Sequence, residues 1–131
     1  MPDRPRVALM LNLKWPYKRH TAVFAGTQRY AQEQGWESII DEYAAENLPA
    51  RRTKQLPYDG IIARVNKRLA ERAARLNIPV VNTWFTSPVW NNLPGVFPGF
   101  QASGQMRAEH LLARGLRRFA AMSCEDRGAM V

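Results

Sequence analysis

A parallel, doubly wound α/β sheet of the flavodoxin-like kind is the fold this sequence predicts, and three features predict it. Short runs are almost wholly apolar, as in VALMLNL at 7–13 and IPVVNT at 78–83, which is the composition of strands covered on both faces. Between the runs lie segments with apolar residues at helical spacing. Gly35 and Gly115 each follow such a segment, at the position where helices commonly stop. Strands alternating with helices wind as successive right-handed βαβ units, with helices on both sheet faces.

The elements follow in order. Residues 7–13 read as the first strand. Over 20–34 the period becomes helical, with Phe24, Thr27 and Ala31 on one stripe, and Gly35 ends it. Residues 36–43 are a second strand. Asn47 and Pro49 can open a short helix over 47–55, since proline is tolerated in a first turn. The third strand covers 58–65 and contains DGIIARV. Asn66 is placed to cap a helix over 67–76, and 78–83 form the fourth strand. A longer connection carrying Pro88, Pro94 and Pro98 leaves room for a fifth strand around Gly95 and Val96. A helix over 102–114 and a strand over 118–122 complete the series.

Composition narrows the function classes. The 131 residues, 46% hydrophobic and 23% charged, suit one domain with a core of its own. Cys124 is the single cysteine, which excludes an internal disulfide framework and favours the cytosol, and reads as a small buried thiol. Arg4 and Arg6 ahead of an apolar run imitate a signal peptide, but Lys14 interrupts the run and no small-residue cleavage site follows. No apolar run approaches the roughly 20 residues of a membrane span, so no membrane partner is expected. The net charge of +8 raises nucleic-acid binding. The cations, however, fall into separate clusters: Arg51, Arg52 and Lys54; then Lys67, Arg68, Arg72 and Arg75; then Arg114, Arg117 and Arg118. The second cluster, with Glu71, reads as a solvated helix face, which disfavours direct nucleic-acid binding.

Several chemistries are excluded by what the loops lack. A dinucleotide site needs G-x-G-x-x-G after the first strand, where this chain has LKWPYKRH, and there is no G-x-x-x-x-G-K-[ST] phosphate loop. A phosphorelay receiver needs acidic residues where Asn12, Lys14 and Arg64 stand. No G-x-S-x-G occurs, and His20 and His110 fall on different helices, His110 as a packing residue. No enzyme activity, cofactor or metal is expected.

In doubly wound sheets ligands sit beyond the carboxyl ends of the strands, so the loops after Asn12, Arg64, Thr83 and Val96 share one edge. That edge gathers Asn12, Trp15, Tyr17, Arg19 and His20 from the first loop, Arg64 after the third strand, and Asn82, Trp84 and Phe85 after the fourth. Flat rings beside planar hydrogen-bonding groups suit a polar, ring-shaped small molecule such as a sugar.

Four segments in order, GTQRYAQEQGW at 26–36, DGII at 59–62, IPVV at 78–81 and EHLLARGLRRF at 109–119, resemble the effector domain of lac-repressor-type regulators over almost the whole chain. Within that superfamily the first loop, Asn12 to Arg19, is similar to the xylose-responsive branch of the arabinose-regulator family. The resemblance implies a periplasmic-binding-protein-like domain of type I in which two lobes close on a sugar effector. This chain would supply the N-terminal lobe, residues 1–131, its last strand leading towards the second. DNA would be bound only through a helix-turn-helix domain outside these residues, and a homodimer is left open. Two departures stand out. Gly99 and Phe100 occupy the place of the family's usual Asp-Asn, and Arg64 stands where xylose-responsive members carry an acid. A different sugar, an acidic one among the options, follows. The rival readings are one lobe of a solute-binding protein of the same fold, and a small α/β enzyme using Arg19 and Arg64 to clamp an anionic substrate.

Overall fold

The first strand, β1 (Arg6–Met10), is the middle of the molecule's sheet and is apolar on both sides for that reason. In this computed structural model residues 4–14 and 18–122 are described. Val7, Leu9 and Leu11 point to one face, against Val23, Phe24, Trp36 and Ile62. Ala8 points to the other, into the larger core of Ile61, Ala63, Val65, Leu69, Ala73 and Leu76. The alternation is the two-residue period of a strand with both faces covered.

Helix α1 (Lys18–Gln34) follows β1 and begins two residues ahead of the expected start. Gly35 ends it at φ +74°, and the Trp36 N–H donates back to the Ala31 carbonyl at 2.8 Å, closing the helix as expected. Strand β2 (Glu37–Ile40) pairs parallel with β1. It stops three residues short of expectation because Asp41 turns the chain: its carboxylate accepts from the Tyr43 N–H at 2.9 Å and its carbonyl from the Ala44 N–H at 3.3 Å.

The short helix α2 (Ala44–Asn47) then corrects the expected 47–55. Proline ended this helix instead of opening it. Leu48, the residue before Pro49, is extended (φ −70°, ψ 133°), because a following proline ring clashes with helical backbone.

Strand β3 (Gly60–Ala63) pairs parallel with β1 and β4 (Val80–Asn82) parallel with β3. The order is β2-β1-β3-β4. Between β3 and β4 runs helix α3 (Lys67–Leu76), over the span the sequence predicts. Asn66 caps it by accepting from the Leu69 N–H at 2.8 Å, and Asn77 closes it in the left-handed conformation at φ 54°. Leu69, Ala73 and Leu76 form its buried stripe. The expected fifth strand is reduced to one parallel bridge between Asn82 and Gly95.

Arg68 and Arg72 differ from a merely solvated face. Arg72 donates to the Ala45 carbonyl at 2.6 Å and Arg68 pairs with Glu46 at 3.4 Å, so both tie α3 to α2. Arg52, from the preceding basic cluster, donates to the Leu76 carbonyl at 2.9 Å, at the carbonyl-rich end of α3.

Contacts divide the chain into two units, Met1–Val96 and Phe97–Val131. The second contains helix α4 (Phe100–Ala113), which Gly115 closes at φ +79° with the Leu116 N–H bonded to the Leu111 carbonyl. Its apolar residues do not gather on one face, and His110 is exposed instead of packed. The strand expected over 118–122 does not form. A strand exists through its neighbour's ladder bonds, and these residues, exposed throughout, have no such ladder. Cys124 lies outside the described residues. Among the described residues no helix is long and apolar enough to cross a membrane.

Candidate functional site

The carboxyl ends of β1, β3 and β4 meet where the strand order reverses, between β1 and β3. Arg64 follows β3 directly. Its guanidinium carbon lies 5.0 Å from the centre of the Trp84 ring, which follows β4, in cation–π range. His20, in the first turn of α1, is buried with 7% of its surface exposed. Burial, then the charges of Arg64 and of Arg19, hold its pKa below the ordinary 6.5. Arg19 itself is exposed. The structure thus brings Arg19, His20, Arg64 and Trp84 to one neighbourhood, from three separate parts of the sequence.

Asn82 is fully buried, and its side chain is engaged within the chain. Its Oδ1 accepts from the N–H groups of Val65 (3.1 Å) and Trp84 (2.9 Å), and its Nδ2 donates to the Trp84 carbonyl (2.9 Å). Asn82 therefore clamps the loop after β3 to the loop after β4. Ser87 reinforces the clamp: its Oγ donates to the Val65 carbonyl at 2.5 Å and accepts from the Val89 N–H at 3.2 Å. The Asn82 bonds hold the backbone of Trp84, whose indole lies against Arg64. Phe85 stands behind them, tilted against Trp90 at 5.9 Å between ring centres.

Asn12 accepts from the Lys14 N–H at 3.0 Å, which turns the chain after β1, and donates to Glu42 at 2.8 Å. Trp15 and Tyr17 lie outside the described residues.

Two features escaped the sequence reading. Ser87, one small polar residue in a proline-rich connection, carries no local signal. The other is the bond from the Tyr58 hydroxyl to Asp41, which joins the approach to β3 to the turn after β2. Asn47 donates to the same carboxylate oxygen at 2.6 Å. Burial would raise the Asp41 pKa, but the bonds from Tyr58, Asn47 and the Tyr43 N–H outweigh it and the net direction is down. Burial, with the adjacent carboxylate, pushes Tyr58 up to about 12.

At the opposite, amino edge of the sheet lies an open cleft of about 830 Å³ whose walls include Arg4, Arg52, Lys54, Glu37 and Asp59. Asp59 bonds the Arg6 N–H at 2.7 Å, and Arg6 donates to the Leu56 carbonyl at 2.6 Å, so part of its charge is spent in holding β1. Among the described residues no group of three or more His, Cys, Asp or Glu is placed to hold a metal ion.

Fold and site together define an α/β domain with a four-stranded parallel sheet of order 2-1-3-4 and a cationic, aromatic carboxyl edge. No known protein family, curated protein or solved structure matches the chain.

Proposed function

We propose that this chain is the effector-sensing lobe of a bacterial, sugar-responsive transcription regulator of the lac-repressor-like kind, and that it is not an enzyme. The observation that carries the reading is the pairing of Arg64 with Trp84 beside His20 at the switch point of the sheet. A ring and planar donors at that place suit a sugar, and the ordered segments from 26 to 119 support the family. Asn12, Trp15, Tyr17, Arg19, His20, Arg64, Trp84 and Phe85 then form half of an effector cleft, with Asn82 setting the geometry of its far wall.

Under this reading a second lobe supplies the other half of the contacts. An effector that binds the closed pair of lobes better than the open pair shifts the equilibrium by that difference, and an attached DNA-binding domain reports it. Neither the second lobe nor that domain is among these residues.

The test is a thermal-denaturation screen of this chain against sugars, sugar acids and nucleotides. A ligand specific for the folded state raises the midpoint with the logarithm of its concentration once that exceeds Kd. Small shifts appearing only at millimolar sugar, as half a cleft should give, support the reading. Stabilisation by nucleotides without any response to sugars contradicts it.

A further inference from the structure

We infer that the open cleft at the amino edge of the sheet is a docking groove for an acidic peptide segment of a partner protein. The inference uses neither the carboxyl edge nor the sugar reading, so either stands or falls without the other.

Three strand starts and one connection build the groove. Arg4 and Arg6 lead into β1, Glu37 opens β2 and Asp59 precedes β3, while Arg52 and Lys54 stand on the stretch between α2 and β3 that has neither helix nor strand. That stretch is nonetheless tied down on both sides of Lys54. Arg6 donates to the Leu56 carbonyl at 2.6 Å and pairs with Asp59 at 3.6 Å, and Arg52 donates to the Leu76 carbonyl at 2.9 Å. A groove whose walls are held before a partner arrives loses less in ordering when it binds.

Charge gives the sign of the partner. Asp59 is taken up by Arg6, whereas the bond from Arg52 goes to a neutral carbonyl and leaves its charge uncancelled. Arg4 and Lys54, both exposed, form no ion pair among the described residues. Against Arg4, Arg52 and Lys54 the walls then set only the exposed Glu37, which leaves a surplus of cations. Open, polar walls around about 830 Å³ suit a segment of chain laid across them better than an enclosed small molecule. Arginine-lined surfaces of this kind recognise acidic motifs.

Two features favour a peptide over a nucleic acid. No aromatic ring is among the lining residues, so a base has nothing to stack on. Glu37 also stands among the cations, where an unbroken row of phosphates would meet it, whereas a peptide places a neutral or basic residue at that point. Exposed charges give steering and selection more than raw affinity, so the binding is sensitive to salt.

Isotope-labelled chain is titrated, at matched ionic strength, with hexaglutamate, hexaglutamine, an oligothymidylate, a DNA duplex and inorganic phosphate. Hexaglutamate should bind about tenfold more tightly than hexaglutamine, weaken as salt is raised, and shift the amides of Arg6, Glu37 and residues 52–56. Arg4→Gln with Lys54→Gln should lower its affinity about fivefold. Lys67→Gln with Arg75→Gln, which removes the same charge from α3, should leave it within about twofold, and the amide spectrum reports that each variant is folded. Equal binding of hexaglutamine overturns the inference, and so does an equal loss in the α3 pair, which would make the attraction one of net charge. An oligothymidylate or duplex that shifts the cleft amides at lower concentration than hexaglutamate overturns it in favour of a nucleic acid. Inorganic phosphate binding there as tightly as hexaglutamate overturns it in favour of a simple anion site.

Discussion

At the residue scale, the most exacting groups are buried polar side chains whose partners come from distant sequence. Asn82 makes three bonds with no solvent exposure, so Asn82→Ala leaves the Val65 and Trp84 amides unsatisfied and should cost about 2–4 kcal/mol in urea denaturation. Its neighbour Arg64 should lose its fixed position in the same variant, seen as loss of indole quenching or ring-current shifts. Tyr58→Phe should cost about 1.5–3 kcal/mol near neutral pH, the range for a hydrogen bond to a charged group. The sign is fixed by linkage. Tyr58 titrates at about 12 in the folded protein against 10 unfolded, so its contribution is whole below pH 10 and drains between about 10 and 12. Phenylalanine removes that alkaline slope. His20 works at the other end. Its folded pKa is lowered, so its stability contribution is present above pH 6.5 and is lost as pH falls below that value through the folded pKa. Denaturation midpoints measured at pH 7.5 and 5.5 should differ for the parent and converge for His20→Gln. None of these pairings was readable as such from the chain. The edge residues were, because an edge follows from topology; their partners were not, because Val65 to Asn82 is a tertiary contact.

At the element scale, the strongly patterned pieces were legible and the short ones were not. Helix α3 follows from an N-cap, a buried stripe and an αL close, all local signals. Helix α2 depends on two competing local signals, the Asp41 turn and Pro49, and the sequence reading gave proline the wrong role. Strands came out shorter than their apolar runs, since asparagine and aspartate turns after β1 and β2 cut them with side-chain bonds that hydropathy does not register. Residues 118–122 have strand composition without a strand, which shows that apolar content alone does not supply a ladder. Gly35 offers a clean test of a helix stop. A Cβ there meets nothing within 4 Å, so Gly35→Ala pays only for φ +74° and should cost about 1–2 kcal/mol without altering the circular dichroism spectrum. A neutral result would mean that the turn relaxes to negative φ.

At the scale of the whole molecule, charge and topology decide the function reading together. A net charge of +8 suggests a polyanion partner, but several of the cations are engaged within the chain. Arg52 and Arg72 bond helix ends and turns, Arg68 pairs with Glu46, and Arg6 holds β1 to Asp59 and Leu56. What distinguishes the carboxyl edge is that Arg64 sits beside an indole, at the reversal of strand order. The amino-edge cleft mixes both signs of charge on open, polar walls, unlike the largely apolar lining of small-molecule pockets. The most direct test of the central claim is therefore where a sugar lands. Chemical-shift mapping of the labelled chain with a stabilising sugar or sugar acid should move Arg19, His20, Arg64 and the Trp84 indole while leaving Arg4, Arg52 and Lys54 unmoved. Shifts confined to the amino-edge residues, or no shifts at the carboxyl edge at saturating ligand, would contradict it.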